Sequence, residues 1–151
     1  MENAIVENIE KLYKLQMFNL IMVVALIVVT AVCVALVVKC KVLHAKWGNV
    51  ALVALVVSCS VGLLLLQIRS FLPVYRDYTE QSYIVIEDVE VIVKESTADL
   101  SNRVCPVVVY NGEEEITLQM QIDHSLNMGD VYAGKIAYLK HSHYLIWYDF
   151  S

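Results

Sequence analysis

Charge is missing from two long stretches of this 151-residue chain. Phe18–Val38 and Val50–Ile68 hold no Asp, Glu, Lys or Arg over 21 and 19 positions. That absence excludes the ionisable groups within a span that a proton relay, an ion-coupled transporter or a voltage sensor needs. Polar groups there are limited to Asn19, Thr30, Ser58, Ser60 and Gln67. GxSxG, HExxH, P-loop and GxGxxG motifs are also missing, so no familiar signature of catalysis or nucleotide binding is present. The four cysteines, Cys33, Cys40, Cys59 and Cys105, form no CxxC, and no Cys/His spacing suits zinc. Cys105 stands alone in the C-terminal half, so that half has no internal disulfide. Bases are scarce there too. Residues 77–151 carry thirteen acids against four bases, a net of −9; residues 1–76 carry three acids against seven bases, a net of +4. An acidic half of that strength repels phosphate, which argues against nucleic acid as a partner. No cofactor is expected, and the chain reads as a non-enzyme.

What is present begins with the uncharged runs themselves. A helix rises about 1.5 Å per residue, so each run covers roughly 30 Å, the hydrocarbon thickness of a bilayer. Both are apolar all round, and a chain this short has too little protein to cover them. The expected order is an amphipathic lead-in at 1–17, a span at 18–38, a short basic linker at 39–49, a second span at 50–68, a juxtamembrane exit at 69–82 and a small β-domain at 83–151. The first run is too long for a cleavable signal peptide and lacks a small-x-small site. Ile5, Ile9, Leu12 and Gln16 share a stripe, predicting a helix that runs into the first span or lies at the interface. Ala54, Ser58 and Gly62, spaced by four, form a flat ridge that matches Ala31 and Ala35. This predicts the hairpin seam, with self-association between chains as the competing use. Trp47 in the linker and Phe71, Tyr75, Arg76 and Tyr78 in the exit suit a headgroup layer. Pro73 is expected to stop the second helix near Leu72. Three linker lysines, dense for its length, place the linker in the cytoplasm and the β-domain outside the cytoplasm.

From Tyr83 the pattern becomes that of strands. Tyr83–Glu95 is β-branched and alternating, interrupted by Glu87-Asp88, where a bulge or turn is expected. Ser96–Arg103 reads as a polar loop. Val104–Tyr110 reads as a strand whose start Pro106 demotes to an edge. Asn111-Gly112 signals a type I′ hairpin turn. Glu115–Ile122 alternates, with Ile116, Leu118, Met120 and Ile122 inward. Val131–Leu139 and Tyr144–Phe150 complete the set, with Gly134 marking a bend or a close approach. The fold class is therefore α+β: a two-helix transmembrane hairpin, then a small antiparallel β-barrel or sandwich of SH3-like or OB-like size.

Candidate sites are few. His141 and His143, two apart, face one side if they lie on a strand, and His124, Asp123 or Asp130 offers a third metal ligand. Their place in a predicted turn favours an ordinary role. Glu113-Glu114-Glu115 reads as a solvated flank that discourages edge pairing. Cys105 lacks an activating base in the sequence and reads as a buried strand residue. Tyr132, Tyr138, Tyr144, Trp147, Tyr148 and Phe150 crowd the last two strands. Alternation puts some of them in the core and leaves others to meet a partner.

GDVYAGKIAYLKHSHYLIWYDF (Gly129–Phe150) and FLPVYRDYTEQSYIVIEDVEV (Phe71–Val91) resemble a loose group of small bacterial membrane proteins. These have an N-terminal hairpin, an aromatic exit containing proline, and a small β-domain. The resemblance implies architecture and a bacterial source, and carries no catalytic residue. The layout is also similar to two-span effectors of antiphage signalling, whose β-barrel senses a cyclic nucleotide; the acidity here suits an anionic ligand badly. Two functions are expected from this. One is a membrane-anchored accessory subunit whose β-domain binds a protein partner at the lipid bilayer. The other is a self-associating membrane effector.

Overall fold

The computed structural model describes residues 1–39, 46–94, 104–121 and 126–150, and of residues 46, 47 and 49 the backbone alone. The predicted loop Ser96–Arg103, most of the basic linker, Ile122, Asp123 and His124 lie outside the described residues, as does the side chain of Trp47. Two helices, α1 (Glu2–Lys39) and α2 (Lys46–Glu80), precede five strands. These are β1 (Tyr83–Val93), β2 (Val104–Asn111), β3 (Glu114–Gln121), β4 (Val131–Leu139) and β5 (Tyr144–Phe150). The chain divides into two compact units, Lys14–Leu72 and the combination of Met1–Tyr13 with Pro73–Ser151.

In the first unit both helices are long and apolar enough to cross a membrane, and no residue in the most apolar stretch of either is buried. Helices from the core of a soluble protein would be covered. Thr30 donates its hydroxyl to the Leu26 carbonyl at 2.8 Å, so the helix itself satisfies this polar group. Partial cover follows one stripe on each helix: Leu20, Val23, Ile27, Thr30, Val34 and Val37 on α1, and Leu52, Val56, Ser60, Leu64 and Gln67 on α2. The steps, three and four in turn on α1 and mostly four on α2, keep each stripe on one helix face.

Pro73 does not end α2, which continues to Glu80. An internal proline costs a helix about 3 kcal/mol through its lost N–H. Contacts of the turns beyond it offset that cost: Val74 and Asp77 are fully buried against the sheet unit. The helix stops where Gln81 takes a φ of +49° and Ser82 N–H reaches back to the Asp77 carbonyl at 3.1 Å. This is the Schellman arrangement, here with Gln81 in the left-handed position.

In the second unit the strands form one mixed sheet in the order β1-β2-β3-β5-β4, and β4 pairs back onto β1 to close the ring. The expectation of an all-antiparallel sheet is corrected by β3 and β5, which run parallel. A ring with an odd number of strands cannot alternate direction throughout, so one neighbouring pair must be parallel. Closure also removes the edge expected at Pro106. Its carbonyl accepts the Lys94 N–H at 3.1 Å, and its nitrogen faces the same way, where the β1 ladder ends. The missing donor therefore falls where pairing stops.

The bulge expected in β1 is present, with a register shift between Ile86 and Val89 and Asp88 at φ +56°. The β2–β3 turn differs by one residue from the expectation. Asn111 pairs with Glu114, so Gly112-Glu113 form the loop, and positive φ falls at Gly112 (+63°) but not at Glu113. That fits a type II′ turn rather than type I′. At Gly134 a Cβ would collide with the Asp149 carbonyl oxygen and lie 2.9 Å from Phe150 Cα, which explains the glycine by close approach of β5. Alternate residues fill the interior: Val89, Val91, Val93, Cys105, Val107, Val109, Leu118, Met120, Ile136, Tyr138 and Leu145.

A second apolar cluster lies on the outer side of β1, β4 and β5. Ile5, Ile9 and Leu12 of α1 and Val74 of α2 bury against Ala137 and Leu139, flanked by Tyr83, Val85, Tyr144, Ile146 and Trp147. The amphipathic stripe of the lead-in is thus the face that packs on the sheet, and not a membrane-interface face. Asn8 adds a hydrogen bond from its side-chain amide to the Ile146 carbonyl at 2.8 Å.

Candidate functional site

The polar feature built most fully into the sheet unit is the junction between the end of α2 and the β4–β5 turn. Asp77 is the buried polar side chain among the described residues, with no exposed surface. It lies one helical turn after Val74, on the face that meets the sheet. One carboxylate oxygen accepts the His141 N–H at 2.9 Å. The other accepts the Ser142 N–H at 2.8 Å and the Ser142 hydroxyl at 2.7 Å. A buried carboxylate is tolerable when donors surround it in this way. The turn that supplies them is shaped by His143, at φ +56°, whose N–H closes onto the Leu139 carbonyl at 3.1 Å.

A second layer flanks this clamp. The Glu80 carboxylate takes Arg76 Nε at 2.9 Å, the His141 ring at 3.2 Å and the Ser82 hydroxyl at 3.2 Å. Its pKa is held below the usual carboxylate range, by the Arg76 hydrogen bond first and His141 next. Beside them Tyr13 and Tyr78 stack with ring centroids 4.2 Å apart and planes 5° from parallel.

Aspartate, histidine and serine meet here, which are the residue types of a nucleophilic triad. Their wiring differs from one. In a triad the histidine stands between serine and carboxylate. Here Ser142 donates directly to Asp77, and the His141 ring is turned to Glu80. The arrangement clamps a turn to a helix end.

The histidine pair does not converge. His141 serves Glu80, while the His143 ring lies 6.3 Å from that of Tyr138. Among the described residues no group of three His, Cys, Asp or Glu side chains is placed to hold a metal ion. Cys105 is buried on β2 in the sheet interior, and burial pushes its thiol pKa up. Glu113, Glu114 and Glu115 are exposed at the β2–β3 turn. Of the aromatics, Tyr132, Tyr148 and Phe150 stack together against the interior cluster, Phe150 being 4.6 Å from Tyr148 and 5.3 Å from Tyr132. Tyr144 and Trp147 lie under the helices, and desolvation raises the Tyr144 pKa.

Tyr78 is turned to Tyr13, Tyr75 is exposed with its ring 6.3 Å from that of Tyr13, and Phe71 is partly covered. Ala31, Ala35, Ala54, Ser58 and Gly62 are all exposed and lie off the partly covered stripes. Ala54 and Ser58 instead line an open apolar groove with Val38, Val50, Val53 and Val57. Asp77 is the residue that sequence reading passes over. The signal for it is an acid at a position of α2 in step with Val74, together with a turn, Lys140–His143, that has N–H groups to spare. Compared with known proteins, the chain matches no family model, no curated protein and no solved structure.

Proposed function

We propose that this chain is a two-span bacterial membrane anchor whose small acidic β-barrel binds another protein at the membrane surface and performs no reaction itself. The observation that supports this reading is that no residue in the most apolar stretches of α1 and α2 is buried, while the sheet unit has an apolar core of its own. Apolar surface of that extent is costly in water and is at home in lipid. Two spans return the chain to the side it started from. The packing of Ile5, Ile9 and Leu12 against β4 agrees with both ends lying on one side. The lysines at 39, 41 and 46 favour a cytoplasmic linker, which puts the barrel outside the cytoplasm. The test is purification of the tagged full-length chain from its own membranes in mild detergent. A larger protein is expected with it in fixed ratio; the chain alone would contradict the reading.

A second reading, a self-associating effector that disturbs the bilayer, is favoured by one observation. The small residues Ala54, Ser58 and Gly62 are left uncovered, and a Cβ added at Gly62 would meet nothing within 4 Å. Small ridges let helices of neighbouring chains approach closely in lipid. Overexpression is then expected to arrest growth, and Gly62→Leu to relieve the arrest. Normal growth on overexpression would contradict this reading.

A further inference from the structure

We infer that the open groove lined by Val38, Val50, Val53, Ala54, Val57 and Ser58 seats an acyl chain of an anionic phospholipid whose phosphate is held at Lys39. This rests on the reading of α1 and α2 as membrane spans.

The groove lies wholly within the unit Lys14–Leu72, and both helices contribute to it where the linker joins them. Val38 is the residue before the last of α1, and Val50 stands one turn into α2. From Val50 to Ser58 the lining runs about 12 Å along α2. None of the six residues is charged, and Ala54 and Ser58 are smaller than the four valines around them. The five lining residues of α2 are all exposed. Within a span, such surface meets hydrocarbon, and a recessed apolar strip suits a single methylene chain.

Charge at the linker end selects the occupant. Lys39 follows Val38 directly, is exposed, and is in no ion pair among the described residues. In sequence, residues 39–49 hold three lysines and no acid. Copies of one chain enter a membrane in one orientation. A second copy laid in the groove would therefore bring its own linker lysines to the same end, where like charges repel. An anionic phospholipid brings the opposite charge to that end and an apolar tail to the rest. Basic residues beside a cleft between spans are known to hold acidic headgroups in this way. The leaflet richest in anionic lipid is the cytoplasmic one, the side on which three lysines place the linker.

The test is native mass spectrometry of the full-length chain in detergent, titrated with phosphatidylglycerol or with phosphatidylcholine of the same acyl chains. One phosphatidylglycerol is expected to bind in preference, and glycerol phosphate, the headgroup without a tail, is expected not to bind. Lys39→Glu is expected to weaken phosphatidylglycerol about tenfold. Ala54→Phe, which fills the groove at an exposed position, is expected to weaken both lipids with helix content unchanged by circular dichroism. The control Arg69→Glu makes the same charge change at the other end of the α2 span and is expected to bind as the wild type does. Equal binding of the two lipids, equal losses in Lys39→Glu and Arg69→Glu, or full binding in Ala54→Phe would overturn the inference. A lipid-free dimer abolished by Ala54→Phe would also overturn it, in favour of a second copy in the groove. An alkaline carbonate wash separates this failure from that of the broader reading. A chain that stays in the membrane without the lipid preference loses this inference and keeps its spans; a chain that the wash releases loses both.

Discussion

Asp77→Ala is expected to lower the stability of the sheet unit by about 3 kcal/mol, more than any other single polar substitution in it. The carboxylate is fully buried and accepts three hydrogen bonds from the β4–β5 turn. Removing it leaves the His141 and Ser142 N–H groups without their acceptor at a part-buried site. Ser142→Ala removes one hydroxyl donor and leaves both backbone bonds, so its expected cost is about 1 kcal/mol. Asp77→Asn keeps one acceptor oxygen and is expected to fall between the two. Urea unfolding of the full-length chain in detergent, followed by the fluorescence of Trp147 with Trp47 replaced by phenylalanine, ranks the three. An Asp77→Ala variant no less stable than Ser142→Ala would show that the clamp contributes little.

Ile9→Ala is the second large effect. Ile9 has no exposed surface and sits among Ile5, Leu12, Val74, Ala137 and Leu139. Truncating a buried isoleucine costs about 2–5 kcal/mol, the spread depending on how far the site collapses. The neighbouring Val6 is 42% exposed on the same helix, so Val6→Ala is expected to be nearly neutral. The same unfolding experiment compares them. Equal midpoints would mean that residues 1–13 are not held on the sheet.

The elements visible in the sequence are those set by short-range periodicity. Uncharged runs about as long as the hydrocarbon core is thick read as helices, and strict alternation in Glu115–Gln121 reads as a half-covered strand; β3 shows that alternation in its burial. Gly134 and the Glu87-Asp88 interruption were legible because backbone crowding and bulges leave local marks. What was not legible depends on partners distant in sequence. Pro73 marks a helix end by local rules, and contacts of Val74 with its apolar cluster and of Asp77 with the β4–β5 turn carry the helix past it. The lead-in stripe specifies an apolar partner without saying whether that is lipid or protein, and the partner proved to be the outer side of β4 and β5. Asp77 offers in its own neighbourhood only its step from Val74, because its donors are the backbone of a turn 64 and 65 residues away. The parallel β3–β5 pair follows from closure, a property of the whole ring.

The most direct test of the account is cysteine labelling in sealed membrane vesicles with a maleimide that cannot cross lipid. Three chains are compared, each with one cysteine: Glu2→Cys, Asp149→Cys, and the native Cys40. The account predicts that positions 2 and 149 react from one face and Cys40 from the opposite face, in protein that an alkaline carbonate wash does not remove. Cys40 reacting from the same face as the other two, or a chain that the wash releases into the aqueous phase, would contradict it.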